Sequence, residues 1–290
     1  MCGRIFQIHN IAQLLQFAQT RRVRNAANFN PTYNMGPTNY IPAIRHVEDD
    51  DNFQEYEDQN NVEQEHNQPS DNEQQIEDQS QEVIEKQKNK RGLDFFKWGF
   101  QTKFNLIINA RIEEMHEKHT FKPFLDKKRC VIIADGYYEW NKKKEPFKFS
   151  TNKPLYLAAM YTDDDEIFVL TRDAFGEYAK VHDRMPVLLE DDEIDLWINP
   201  KVGFFDIIDK KILNSQKKIW GQVQVTKVAP YVNNIKEKSE KCLITLEEYK
   251  DQQFKNGIGK FFQKKQTQTT QETQEPQDKT KEKITKSLDD

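Results

Sequence analysis

The first regular pattern in the chain is helical, because apolar residues recur every three or four positions within residues 8–20. Asn10 precedes them, and an asparagine side chain is well suited to cap the N-terminus of a helix. The residues at the repeated positions are Ile11, Leu14, Leu15 and Ala18. The pattern predicts a short helix that buries one face in the core.

Strand patterns dominate from residue 93 to about residue 250. Short apolar runs are separated by turn signals, which favours antiparallel hairpins. The strand segments are 40–45, 93–100, 104–110, 130–134, 137–140, 146–150, 154–161, 166–171 and 222–228. Helical patterns are fewer and cover residues 114–125, 190–198 and 204–219. We therefore predict an α+β fold, a single domain over residues 2–264 with mainly antiparallel sheets and flanking helices.

A change of composition interrupts this pattern. Residues 48–92 consist largely of Asp, Glu, Gln and Asn, so they cannot bury enough apolar surface to offset the entropy lost on ordering. We predict a disordered acidic insertion between two strands of one domain. Residues 265–290 are rich in Gln, Thr, Lys and Glu, and they predict a disordered C-terminal tail.

Charge is distributed unevenly along the chain. Residues 48–85 hold 15 Asp and Glu and no Lys or Arg, whereas the chain outside that segment and the tail holds 38 Lys and Arg against 27 Asp and Glu. A basic body suggests an anionic partner, with nucleic acid as the first candidate. A lysine-rich surface that serves solubility alone is an equally good interpretation of the charge.

The sequence has no run of 18 apolar residues and no secretory leader, which predicts a soluble intracellular protein without membrane contact. In a eukaryote we expect it in the nucleus. Its three cysteines are an odd number without C-x-x-C spacing, a pattern that fits neither a disulfide framework nor a zinc site. We expect a monomer that needs no metal and no cofactor.

The N-terminal residues carry unusual chemistry. Removal of Met1 would leave Cys2 with an α-amine beside its thiol, and both groups are partly nucleophilic near neutral pH. Such an aminothiol condenses with an aldehyde to an imine, and the thiolate then closes a five-membered thiazolidine ring. The alternative is that Cys2 is a small apolar residue under a sheet edge, and residues 1–4 alone favour that alternative.

A second candidate group lies in the strand that ends at Trp140. Side chains alternate along a strand, so Tyr137 and Glu139 share one face while Tyr138 and Trp140 share the other. A glutamate in so aromatic a segment is expected to be desolvated, which suits a general acid or base. An exposed charge partner for a nearby lysine is an equally good interpretation.

Two further polar pairs are candidates for ligand binding. Alternation places Asn109 and Arg111 on one face with Ile107, where an amide and a guanidinium could grip a phosphate or a sugar. Such pairs are also common on ordinary surfaces. His182 could transfer protons near neutral pH and Arg184 could bind a phosphate, although a lone histidine is more often structural.

The candidate residues lie in motifs that occur together in a fixed order. The motifs are Met1-Cys2-Gly3-Arg4, Tyr33-Asn34, Pro37-Thr38, Trp98-Gly99-Phe100, Asn109-Ala110-Arg111-Ile112-Glu113, Arg129-Cys130, Ala134-Asp135-Gly136-Tyr137-Tyr138-Glu139-Trp140, His182-Asp183-Arg184-Met185-Pro186 and Val232-Asn233-Asn234. In combination they resemble the SRAP family, the abasic-site processing proteins also called SOS-response-associated peptidases. The resemblance covers residues 2 to about 247 without the acidic insertion.

The resemblance implies a function and a set of catalytic residues. Cys2 would form a thiazolidine with the ring-opened aldehyde of an abasic site in single-stranded DNA, and the crosslink would shield the site from strand breakage during replication. Glu139 and His182 would transfer protons, while Asn109 would orient Cys2 and the sugar. The family is also credited with autocatalytic, peptidase-like loss of Met1 and with reversal of the crosslink.

The same resemblance implies the DNA contacts. Arg4, Arg111 and Arg184 would hold the phosphates that flank the lesion, and Trp98 would belong to the DNA-binding set. The sequence departs from the family after Trp98, where the usual proline and further tryptophan are missing, so contacts in the following loop are not assigned. Ile112 replaces a serine that is common in the family, and it receives no role.

Two other functions fit parts of the sequence. In an N-terminal-nucleophile amidohydrolase the Cys2 thiolate would attack an amide, but the oxyanion region that this class needs is not recognisable here. A non-enzymatic binder of single-stranded DNA would use the basic body and aromatic stacking.

A partner segment is suggested near the C-terminus. Lys255 to Phe262 has the spacing of a peptide that binds the replicative sliding clamp, with Ile258 and the two phenylalanines at 261 and 262 as its apolar plug. The alternative, that these residues cap the domain core, is favoured about two to one because imperfect short motifs often arise by chance.

Overall fold

The computed structural model describes residues 3–48, 51–57, 90–208 and 212–257. The chain falls into two compact units that divide between Leu246 and Glu247. The first unit contains the described strands, and residues 247–257 of the second unit are helical. Cys2, most of the acidic insertion and the whole predicted tail lie outside the described residues.

The described strands and helices of the first unit are as follows. The strands are β1 Arg4–Gln7, β2 Arg22–Arg24, β3 Thr32–Met35, β4 Tyr40–His46, β5 Gln54–Glu55, β6 Arg91–Trp98, β7 Phe100–Gln101, β8 Leu106–Ile107, β9 Asn109–Arg111, β10 Arg129–Trp140, β11 Pro146–Tyr161, β12 Glu166–Asp173, β13 Arg184–Pro186, β14 Leu188–Leu189 and β15 Gln224–Lys227. The α-helices are α1 Ile11–Ala18, α2 Ile194–Ile198, α3 Phe204–Ile207 and α4 Leu213–Trp220.

Five strands close into a ring. β10 pairs antiparallel with β4 and β11, β4 pairs with β6, β11 pairs with β12, and a short parallel pairing of β12 with β6 completes the circuit. One face of these strands forms a cluster with Trp98 and Tyr137, and the opposite face packs against the helices in a second cluster. Most pairings are antiparallel, so the predicted α+β class is confirmed.

Two strands at the centre are longer than the sequence indicated. β10 and β11 each replace two predicted strands, because the polar and small residues between the apolar runs produce bends rather than turns. The register of the pair shifts between Ala134 and Gly136, and a Cβ atom on Gly136 would lie 2.4 Å from the backbone oxygen of Phe149. Glycine permits this close approach, and the last residues of β10 are thereby directed toward β1.

The predicted N-terminal helix is confirmed. Asn10 Oδ1 accepts a hydrogen bond from the Gln13 backbone N–H at 2.9 Å, and Gln13 Oε1 accepts from the Asn10 N–H at 3.0 Å. This reciprocal pair is a capping box. Leu14, Leu15 and Ala18 are buried, so the helix packs by the face that its periodicity predicted.

The predicted limits of the acidic insertion are wrong at both ends. β5 pairs with β2, and the guanidinium of Arg45 donates to both carboxylate oxygens of Asp51 at 2.7 and 2.8 Å. At the other end, β6 begins with Arg91, which donates to Asp195 at 2.6 and 2.9 Å. Ion pairs and strand pairing stabilise these segments where apolar burial would not. Residues 58–89 lie outside the described residues.

The predicted helices differ in their outcome. Residues 190–198 form a 3₁₀ turn followed by α2, as expected. Residues 114–125 contain two short 3₁₀ turns instead of one helix, since Pro123 cannot supply an N–H to an α-helix. The helix expected over residues 204–219 divides into α3 and α4. No helix in the described part of the chain is long and apolar enough to cross a membrane.

Candidate functional site

The N-terminal strand is fixed beside the end of β10. Arg4 lies opposite Tyr138 and Ile5 lies opposite Tyr137 in an antiparallel register. Because Glu139 follows Tyr138, the first residue of β1 lies next to the strand position that carries this carboxylate. Cys2 itself lies outside the described residues.

Glu139 and His182 come together at this end of β10. Glu139 Oε1 lies 3.6 Å from His182 Nε2, and the two side chains are 8% and 26% exposed. Tyr137 packs in the cluster inside the ring, whereas Tyr138 and Trp140 belong to a separate cluster, which confirms the predicted alternation. The interpretation of Glu139 as an exposed partner of a lysine is wrong, because the residue is buried.

The surroundings of His182 favour one neutral tautomer. The backbone N–H of Arg184 donates to His182 Nδ1 at 2.9 Å. Asp183 Oδ1 lies 2.8 Å from the same nitrogen, but the Asp183 side chain is 86% exposed and its charge is well solvated. A nitrogen that accepts from a backbone N–H carries no proton, so the neutral ring is protonated on Nε2, the atom that faces Glu139.

Arg184 is enclosed by protein groups. Its guanidinium donates to Glu113 Oε2 at 2.8 Å and to the Thr171 backbone oxygen at 2.7 Å, and it also pairs with the Asp173 carboxylate. Its side chain is 6% exposed. Binding a DNA phosphate, as the resemblance implied, would require this guanidinium to exchange buried partners for the phosphate. Arg184 is therefore placed differently from an open phosphate ligand.

Asn109 and Arg111 lie on the short strand β9. This strand pairs in parallel with β12, with Asn109 opposite Val169 and Arg111 opposite Thr171. The Arg111 side chain is 52% exposed and donates to Glu114 at 3.1 Å. Such an exposed pair is weak, and the guanidinium can reach solvent.

The predicted shared face of Ile107, Asn109 and Arg111 is wrong for Ile107. Ile107 packs against the same cluster as Ala110, while Ile108 packs against the other cluster. The physical reason is that β8 ends at Ile107 and β9 begins at Asn109, so strict alternation does not continue through residue 108.

Arg4 has a set of contacts that the sequence did not reveal. Its Nη1 donates to Asn34 Oδ1 at 2.8 Å and to the Val232 backbone oxygen at 3.0 Å, and its guanidinium lies 5.7 Å from the Trp140 ring centroid. Burial lowers the pKa of Arg4. The side chain is thus held in place as well as charged.

Asn34 is the residue that this arrangement depends on. It is fully buried, and its Nδ2 donates to the backbone oxygens of Asn234 and Glu237 at 3.0 and 3.1 Å. The ammonium of Lys238 donates to the Asn34 backbone oxygen, which adds a second cation beside Arg4. The Tyr33-Asn34 motif indicated this position, but sequence reasoning assigned it no role.

Trp98 lies inside the ring of strands. Its side chain is fully buried, and its indole N–H donates to the Ile108 backbone oxygen at 3.2 Å. The expected DNA contact therefore needs correcting in physical terms, since an enclosed indole has no surface to offer a base. Trp98 instead links β6 to the residue that precedes Asn109.

The remaining candidate groups can be placed briefly. Cys130 and Cys242 are free, buried thiols, and burial raises the pKa of both. In the described ranges no cluster of three or more His, Cys, Asp or Glu side chains could hold a metal ion. Residues 258–262 of the suggested clamp segment lie outside the described residues.

Comparison with known proteins gives a consistent result. The family described as SOS response associated peptidase (SRAP) matches residues 1–235. The abasic site processing protein YoaM of Bacillus subtilis is 31% identical over 160 residues, which cover 47% of this chain and 65% of YoaM. The abasic site processing protein HMCES of Gallus gallus is 27% identical over 174 residues, covering 48% of this chain and 50% of the relative. The matches thus span half to two thirds of these relatives.

Solved structures share the fold. A protein from Bacteroides thetaiotaomicron has a TM-score of 0.56 at 14% identity, covering 85% of this chain and 100% of that chain. A phage-related protein from Bordetella bronchiseptica has a TM-score of 0.53 at 19% identity, covering 78% of this chain and 94% of its own. At these identities the likeness concerns the fold alone.

Proposed function

The chain belongs to the SRAP family, and from this premise we propose that it captures abasic sites in single-stranded DNA through a covalent thiazolidine at Cys2. The relatives named as abasic site processing proteins support the substrate. The crosslink shields the lesion from strand breakage, and its reversal releases the protein.

The observation that carries the proposal is the register of β1 against β10. Arg4 is fixed opposite Tyr138, one residue from Glu139, and Glu139 lies 3.6 Å from His182. Two residues of chain span at most about 7 Å, so the α-carbon of Cys2 lies within that distance of the α-carbon of Arg4. The covalent chain therefore keeps the aminothiol within reach of the acid–base pair.

The chemistry needs two proton transfers. The Cys2 amine adds to the C1′ aldehyde of the ring-opened sugar, and the resulting hydroxyl must be protonated before it leaves as water. The Cys2 thiol then loses its proton and the sulfur adds to the imine carbon, which closes the ring. Glu139 and His182 lie side by side and differ in charge type, so one can donate and the other accept. Closing the ring removes the imine, which would otherwise promote β-elimination and strand cleavage.

Other residues have supporting roles. Arg111, on the exposed side of β9, binds a phosphate near the lesion, and Arg4 adds positive charge at the start of β1. Asn109 orients the sugar and the aminothiol. The same acid–base pair assists hydrolysis of the Met1–Cys2 peptide bond, which must precede capture because the free α-amine is a reactant.

The test uses the purified full chain and a single-stranded oligonucleotide with one abasic site. We expect a DNA–protein adduct that survives a denaturing gel, and none with Cys2→Ser or with an extra residue that blocks the N-terminus. Unmodified single-stranded DNA is the matched control substrate. A blocked protein that crosslinks as well as the wild type would contradict the proposed chemistry.

A sliding-clamp contact is a separate proposal about partners. The segment Lys255–Phe262 would deliver the protein to stalled replication forks, where abasic sites lie in single strands. Calorimetric titration of a peptide over residues 252–266 against the clamp tests it, with Phe261→Ala/Phe262→Ala as the control. Equal binding by both peptides, or no binding at tens of micromolar, removes the clamp as a partner.

A further inference from the structure

Glu113 ends the motif that contains Asn109 and Arg111, and it grips an arginine from a distant part of the chain. Its Oε2 accepts from Arg184 Nη2 at 2.8 Å and its Oε1 accepts from Arg184 Nη1 at 3.2 Å. Oε1 also accepts from the backbone N–H of Asp173 at 2.9 Å. The two parallel bonds to one guanidinium fix both the position and the plane of that group.

The charge state of Glu113 strengthens this contact. Burial acts to raise the pKa of Glu113, but the hydrogen bonds from Arg184 and the backbone outweigh burial and hold the pKa below its usual value. The carboxylate is therefore ionised at neutral pH. Hydrogen bonds between two charged groups are about twice as strong as neutral ones.

Arg184 connects this grip to the candidate catalytic pair. Its side chain is held by Glu113, Asp173 and Thr171, while its backbone N–H donates to His182 Nδ1 at 2.9 Å. A side chain anchored at its far end limits the rotation of its own peptide unit. The direction of the N–H toward the imidazole thus depends on the guanidinium staying in place.

We propose that Glu113 is a positioning residue that, through Arg184, fixes His182 in the tautomer whose Nε2–H faces Glu139. The catalytic consequence rests on the proposed function, whereas the tautomer is a property of the protein without DNA. Glu113 touches none of the reacting atoms. Its effect on the reaction passes through the backbone amide of Arg184.

The test reads the tautomer directly. Two-bond ¹H–¹⁵N NMR of the full chain labelled at histidine reports which ring nitrogen of His182 carries the proton, at a pH where the ring is neutral. We expect one Nε2-protonated form in the wild type and a mixture in Glu113→Ala. The rate constant for crosslinking to abasic single-stranded DNA should fall by at least the same factor as the population of the Nε2-protonated form.

Two further variants make the result decisive. Glu177 is a matched control, because it is an exposed carboxylate paired with Lys180 on the segment that leads to His182, and Glu177→Ala should change neither the tautomer nor the rate. Glu113→Gln keeps the side-chain volume and replaces Glu113→Ala if the latter does not fold. A single Nε2-protonated form in the Glu113 variant would overturn the proposal. A tautomer mixture in a protein whose wild type does not crosslink would support positioning and reject the proposed function instead.

Discussion

Replacement of Arg111 by alanine should weaken binding to unmodified single-stranded DNA and reduce its dependence on salt. The Arg111 side chain is 52% exposed and its contact with Glu114 is a surface ion pair, which contributes little to stability. The guanidinium can therefore leave Glu114 for a phosphate at small cost. Its removal should leave the fold intact, so the effect can be measured on binding alone.

The expected magnitude follows from counterion release. One phosphate contact on a single strand contributes about 0.7 to the slope of log affinity against log salt. Over a fourfold rise in salt, from about 50 to about 200 mM, this slope corresponds to about 2.6-fold in affinity. The affinity deficit of Arg111→Ala relative to the wild type should therefore shrink by about that factor across the range.

Fluorescence anisotropy of a labelled oligonucleotide over a salt series measures this slope. Lys118→Ala is the matched control, because Lys118 pairs with the same Glu114 and its side chain is also 52% exposed, but it lies outside the proposed site. An unchanged slope in Arg111→Ala would refute the phosphate contact. An equal reduction in both variants would show that only the general basic charge of the region matters.

The remaining predictions concern catalysis, reactivity and stability. Glu139→Gln and His182→Ala should each slow adduct formation on the order of a hundredfold in single-turnover gels, with affinity for unmodified single strands nearly unchanged. Iodoacetamide at neutral pH should alkylate Cys2 alone in the native protein, as peptide mass mapping would show, since the other two thiols are buried and burial raises the pKa of Cys242 to about 11. Asn10→Ala should lower the free energy of unfolding by about 1 kcal/mol, measured by urea titration, because it removes the cap of α1.

The elements that could be predicted were those with a strong local signal. The capped helix α1 and the alternation of Tyr137, Tyr138 and Glu139 in β10 both follow from periodicity, and the structure confirms them. The closure of the ring by β6 and β12 could not be predicted, because it joins residues 97–98 to residues 166–167 by two parallel pairs. Such a pairing leaves no local pattern in the sequence.

The candidate site was only partly predictable for a similar reason. Residue type and motif indicated Glu139 and His182, and the structure places their side chains 3.6 Å apart. The same reasoning treated Arg184 as an open cation and Trp98 as a DNA contact, whereas one is enclosed by carboxylates and the other by the ring. Burial depends on which distant segments meet, and neither residue type nor spacing reports it.

The central claim is that Cys2 forms a thiazolidine with the abasic site, and intact-mass analysis of the adduct with and without borohydride tests it most directly. The adduct should have the mass of the chain without Met1 plus that of the oligonucleotide, less one water, and borohydride should leave it unchanged because a closed thiazolidine has no C=N bond. Addition of two hydrogens would show an imine instead, and the absence of any adduct would contradict covalent capture altogether.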